Sequence, residues 1–151
     1  MGVTAKVVGL AELKSKLEAL PTKLAKRVLR PALTDAGEIV QQAAGIKAPR
    51  EHGTLTTHIV LDVMLHSDLT AEVKIGPSKT AFWGLFSEMG TAPHQETVGW
   101  SSSSIRGSEK TYTHPGEPAR PWLRPAFAET TDEYMAALIR NIREGLEEVA
   151  K

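Results

Sequence analysis

The chain contains no cysteine. That excludes a disulfide scaffold, a Cys-ligated zinc site and a cysteine nucleophile, and it fits a reducing compartment. Aromatic residues are sparse, at 5%. No apolar run approaches the roughly 18–20 residues needed to span a bilayer. The start, Met1-Gly2-Val3-Thr4, lacks the basic-then-apolar layout of a secretory leader, so none is expected. Neither sign of charge is in excess: 18 basic side chains face 18 acidic ones. A dedicated nucleic-acid binder would normally carry a basic surplus.

What is present suits one ordinary domain. A chain of 151 residues buries about 65–70% of its unfolded surface on folding. The neutral total conceals an uneven distribution. Residues 1–50 hold nine basic and four acidic side chains, residues 51–100 two and six, and residues 101–151 seven and eight. Opposite-signed regions near the isoelectric point favour association between copies. Attraction between parts of one fold accounts for the same pattern, and both readings stay open here.

Hydrophobic spacing predicts helices over about 9–47. Leu10, Leu13, Leu17 and Leu20 form one stripe, closed by Pro21. Leu24, Val28, Ala32, Ala36, Ile39 or Val40, and Ala43 form a second. Pro31 lies inside it and predicts a kink or break near Arg30. From Leu55 the period changes to two. Ile59, Leu61, Val63 and Leu65 alternate with Val60, Asp62 and Met64, and after Ser67-Asp68 the sequence Ala71 to Ile75 alternates again. This predicts an antiparallel hairpin over about 55–76.

Phe82, Leu85, Phe86 and Met89 recur at helical spacing, so a short helix is expected over about 79–89. Ser78 is its expected N-cap and Gly90 its stop. Residues 91–121 are rich in Ser, Thr, Gly, Pro and His. They read as a mobile loop, an extended hairpin arm, or a segment that orders against a partner. A final helix is expected over about 124–149, with Glu129, Asp132 and Glu133 near its start. The expected class is α+β: N-terminal helices and a C-terminal helix packed on a small antiparallel sheet, with a long loop or arm.

Catalytic motifs are weak. Gly76-Pro77-Ser78-Lys79-Thr80 ends like a phosphate loop but lacks the glycine before the lysine. Ser101 to Ser104 sits in no nucleophile motif. His58 and His66 lie eight residues apart, too far along a strand rising about 3.3 Å per residue to share a metal. Glu88, His94, His114 and Glu117 are the one set from which a metal-dependent hydrolase is conceivable. Lys23, Lys26, Arg27 and Arg30 form a basic helical face. That face suits subunit contact, or phosphate contact in a nucleic-acid-binding module.

Three short motifs occur in order: Ala48-Pro49 with Gly53-Thr54-Leu55; Trp83 with Glu88 and Gly90-Thr91; and Ala119-Arg120-Pro121-Trp122-Leu123-Arg124-Pro125-Ala126-Phe127. Taken together and in this order, they resemble the neck or tail-completion family of long-tailed bacteriophages, which joins head to tail. Departures from the family pattern are Phe82-Trp83-Gly84 before the glutamate, Trp122 in place of a phenylalanine, and a long insert after Thr91. The resemblance implies a structural virion protein without catalysis or cofactor. It implies a homo-oligomeric ring, with six copies in this phage class, between connector and tail-tube or tail-terminator proteins. DNA would pass through the lumen without sequence readout, no membrane would be involved, and assembly would take place in the host cytoplasm.

The motif residues also carry physical expectations. Gly53 and Gly90 suit positive φ or tight reversal. Pro121 and Pro125 fix the approach to the last helix. Leu123 and Phe127 are expected in the core, and Trp122 is left open between core and a neighbouring subunit.

Overall fold

The computed structural model describes residues 10–50, 54–66, 70–98 and 110–150. The expectations placed on Gly53, on the Ser67-Asp68 turn and on Ser101 to Ser104 lie outside them. The element order is α1 (Leu10–Glu18), α2 (Thr22–Lys47), α3 (Thr54–Thr57), β1 (Ile59–Leu65), β2 (Ala71–Pro77), a 3-10 turn at Lys79–Ala81, α4 (Gly84–Met89), β3 (His94–Val98), β4 (Lys110–His114) and α5 (Leu123–Val149). This is the expected α+β class. Helices at both ends pack with small antiparallel sheets.

The long helix α2 sits centrally. Its buried stripe includes Ala25, Val28, Ala32, Ala36, Gly37 and Val40. Small side chains on that stripe allow α5 to approach closely along its length. Gly37 lets the β1–β2 sheet approach as well: a Cβ there would meet a Leu61 methyl at 2.5 Å. Two apolar clusters result. One joins Leu13, Leu17, Val28, Leu29, Leu33 and Val63 with Ile142. The other joins Ala44, Ala48, Leu55, Ile59 and Ala81 with Trp122 and Ala126. Lys47 pairs with Glu129 at 2.8 Å where α2 ends beside α5.

Several expectations are corrected. Pro31 does not break α2, which is helical on both sides of it. Pro31 and Arg27, whose carbonyl loses its N–H donor, are both exposed, so the lost hydrogen bond lies outside the buried stripe. The first strand begins at Ile59, not Leu55. Residues 54–57 close a helical turn instead. The Thr57 hydroxyl donates to the Thr54 carbonyl at 3.1 Å, and the His58 ring nitrogen lies 2.8 Å from the same oxygen. Such local side-chain bonds compete with a strand. Ser78 precedes the 3-10 turn but makes no capping bond.

Within residues 91–121 the chain forms a second hairpin rather than one long loop. β3 pairs with β4 from His94↔His114 to Val98↔Lys110. The extended arm is therefore the reading that holds. This ribbon is a separate two-stranded sheet, not joined to β1–β2.

Candidate functional site

The second and third sequence motifs meet at the start of α5. Four backbone N–H groups at a helix N-terminus have no partner within the helix, and the peptide dipoles leave that end positive. The first turn of α5 contains no acidic residue, and its N-cap position, Trp122, supplies no side-chain capping bond. Glu129, Asp132 and Glu133 fall further along. The anion comes from α4 instead. Glu88 accepts the N–H groups of Trp122 at 2.5 Å, Leu123 at 2.8 Å and Arg124 at 3.1 Å. The Arg124 guanidinium closes over it, donating to the Glu88 carboxylate at 2.9 Å and to its backbone carbonyl at 2.9 Å.

Glu88 is the one buried charged residue among the described residues. Burial pushes its carboxyl up. The N–H groups of Leu123 and Trp122 and the Arg124 guanidinium outweigh that and hold it below its ordinary value.

Trp122 seals the junction. It is 1% exposed, and its indole N–H donates to the Gly84 carbonyl at 3.1 Å. Trp122 thus belongs to the core. Phe127, expected there, is 46% exposed. Leu123 is only partly buried, against the cluster around Trp122.

Gly90 follows α4 with φ of 73°. A Cβ at Gly90 would lie 2.7 Å from the Ala119 nitrogen and 2.8 Å from the Glu117 oxygen. Both the positive φ and the close approach require glycine, as the motif suggested. Beside it Thr91 and Glu117 exchange backbone hydrogen bonds at 2.9 and 3.2 Å, tying the root of the ribbon. Replacing Gly90 with alanine is expected to destabilise the fold by about 2–3 kcal/mol. Gly76, where a Cβ meets nothing within 4 Å, serves as the control. Thermal melts of the two alanine variants check this, and equal shifts would contradict it.

A groove of about 860 Å³ lies between α4 and the ribbon root, lined by Pro49, Trp83, Gly90, Thr91, His94, His114, Glu117 and Arg120 among others. All three motifs therefore reach one surface. His94 and His114 stack across the ribbon with ring centroids 5.1 Å apart. Glu96 receives the Tyr112 hydroxyl and lies 3.1 Å from His94 Nε2, while His94 Nδ1 lies 2.9 Å from the Ala92 carbonyl. The Ala92 carbonyl first, then Glu96, raises the pKa of His94.

The conceivable metal set does not come together. Glu88 is buried under α5. Both nitrogens of His94 face acceptors, which suits the imidazolium and leaves no lone pair for a metal. The Gly116 N–H donates to His114 Nδ1 at 3.0 Å, so the neutral ring carries its proton on Nε2. Among the described residues no three His, Asp or Glu side chains are placed to hold a metal ion.

The basic face of α2 is partly engaged within the protein. Arg30 donates to the Val63 carbonyl at 3.1 Å. Arg27 lines a groove against α5 together with Glu144, Glu147 and Glu148. Lys23 is exposed and Lys26 half-buried.

The feature that sequence periodicity did not orient is α4. Phe82, Leu85, Phe86 and Met89 share one stripe, and they are 58%, 45%, 51% and 64% exposed. Phe82 and Phe86 pack edge to face on each other, with centroids 6.0 Å apart. The spacing identified a helix but not which way its apolar side points.

No family model, curated protein or solved structure matches this chain. No described helix is long and apolar enough to cross a membrane.

Proposed function

We propose that the chain is a structural subunit of a homo-oligomeric ring at the head–tail junction of a long-tailed bacteriophage. In this reading it joins connector to tail-tube or tail-terminator proteins around the DNA channel, within the virion neck, and catalyses nothing. Six copies suit the symmetry of the resembled family. DNA passes through the lumen without base contacts.

The observation that carries the assembly is the exposed apolar stripe made by Phe82, just before α4, and by Leu85, Phe86 and Met89 on it. Four adjoining large apolar side chains in water are costly for a solitary subunit and ordinary at a protein interface. The order of the three sequence motifs carries the placement in a phage neck. Their convergence beside α4 supports both. A ring needs contacts between unlike surfaces that close by rotation, and a neutral chain meets no long-range repulsion from its copies.

Replacing Phe86 and Met89 with glutamate together tests the stripe. These side chains are exposed, so the monomer fold is expected to change little. Light scattering at matched concentrations is expected to show higher-mass species for the unaltered chain and monomer for the variant. Equal masses at every concentration would contradict the role of α4.

A further inference from the structure

The two edges of the β1–β2 sheet are treated differently. Strand register runs from Ile59↔Pro77 to Leu65↔Ala71. The Ser78 N–H donates to the His58 carbonyl at 2.7 Å and the His66 N–H to the Thr70 carbonyl at 2.9 Å. Even-numbered residues therefore bond across the pair. By alternation, Ile59, Leu61, Val63 and Leu65 turn their backbone groups away from β2, and Ala71, Val73 and Ile75 turn theirs away from β1.

The outer edge of β1 is covered. Gln41 of α2 donates to the Ile59 carbonyl at 2.7 Å, and Arg30 donates to the Val63 carbonyl at 3.1 Å. These are two of the outward-facing carbonyls. The outer edge of β2 has no such cover: among the described residues, nothing bonds the outward backbone groups of Ala71, Val73 or Ile75. An uncovered strand edge is a template for another strand.

The same chain carries a strand pair in need of a sheet. Among the described residues β3 and β4 pair with no other strand, and a lone two-stranded ribbon is marginally stable in water. Its strands of five residues are short enough to fit along the seven of β2. We propose that the open edge of β2 receives the β3–β4 ribbon of a second copy, forming a four-stranded sheet across the subunit boundary.

Each copy then offers one uncovered strand edge on β2 and one two-stranded ribbon not joined to another sheet among the described residues. Those are unlike surfaces, so the contact runs head to tail and closes into a ring by rotation. Because the ribbon root adjoins α4, seating the ribbon brings the apolar stripe toward the neighbour as well. A second copy is favoured over a foreign strand because need and supply are equal within one chain. The chain is also uncharged overall, so copies approach without net repulsion. The proposal rests on the ring reading and adds which strands meet.

The absence of native cysteine makes cross-linking clean. Lys74→Cys on β2 and Thr113→Cys on β4 are combined in one chain, and both positions are exposed. A short bifunctional thiol reagent is expected to give a covalent ladder of dimers, trimers and higher species, and either single variant at most dimers. In parallel, Ala71→Pro removes an outward N–H that makes no bond within the subunit. That variant is expected to keep its far-ultraviolet spectrum and lose at least tenfold in oligomer population.

Oligomers without a ladder would overturn the strand pairing and leave the ring reading standing. A chain that stays monomeric and gives no ladder at high concentration would overturn both. Should Ala71→Pro fail to fold, the cross-linking alone decides.

Discussion

Replacing Glu88 with alanine is expected to be among the most damaging single changes in this protein. It removes the acceptor of three backbone N–H groups and leaves them at a buried helix end, while the Arg124 guanidinium keeps only its bond to the backbone carbonyl of residue 88. Breaking such a buried arrangement from one side costs about 3–5 kcal/mol. For a chain of this size that lowers the melting temperature by roughly 10 °C. Glutamine keeps one acceptor oxygen and is expected to cost less. An Arg124→Ala variant should be milder still, because the guanidinium is largely exposed while the carboxylate is not.

The same contact sets a pH dependence. The folded pKa of Glu88 lies below its ordinary value of 4.5. The unfolded state therefore binds the proton more readily. The stabilisation is fully present above the ordinary value and is lost as pH falls from there through the folded value. Melts of the parent and of Glu88→Gln should differ most near neutral pH and converge at the acid end. A constant gap across that range would show that the carboxylate charge is not what holds α5.

The second large effect is expected at Trp122. Its indole is nearly wholly buried beside Leu55, Ala81 and Ala126. Truncation to alanine removes that packing and the bond to the Gly84 carbonyl, at about 3–5 kcal/mol. Phenylalanine in its place preserves much of the volume and loses the bond, at about 1–3 kcal/mol. Phe127→Ala, from the exposed aromatic of the same motif, should cost little. Denaturant midpoints of the three variants check the order, and a Phe127 loss equal to that of Trp122 would contradict the assignment of the core.

Long elements were readable from spacing alone. The stripes of α2 and α5 and the alternation of β1 and β2 are strong because each element buries one face against a neighbour. Pro31 misled because its cost depends on which side of the helix it occupies, and that is a tertiary fact. Residues 54–57 misled because threonine favours strands on average, while here its hydroxyl closes a turn. The ribbon was obscured by Pro, Gly and Ser around strands of only five residues.

Direction was harder to read than element type. Spacing placed Phe82, Leu85, Phe86 and Met89 on one side of a helix, and only the packing of α4 against Trp122 shows that this side faces out. The motif residues converge on one region of the fold, yet spacing did not show what each does there. Glu88 acts on backbone groups 34 to 36 residues away, a distance that no local rule spans. The charge asymmetry divides in the same way. Arg30 covers a strand edge and Arg27 lines the groove against acidic α5, so part of the basic surplus of the first fifty residues is answered inside the fold.

Native mass spectrometry of the 151-residue chain at high concentration tests the ring most directly. The expected result is one dominant closed species at an integral multiple of 16.4 kDa, with six copies the expected number. A 16.4 kDa monomer at every concentration, or an open ladder of masses without a preferred end, would contradict it.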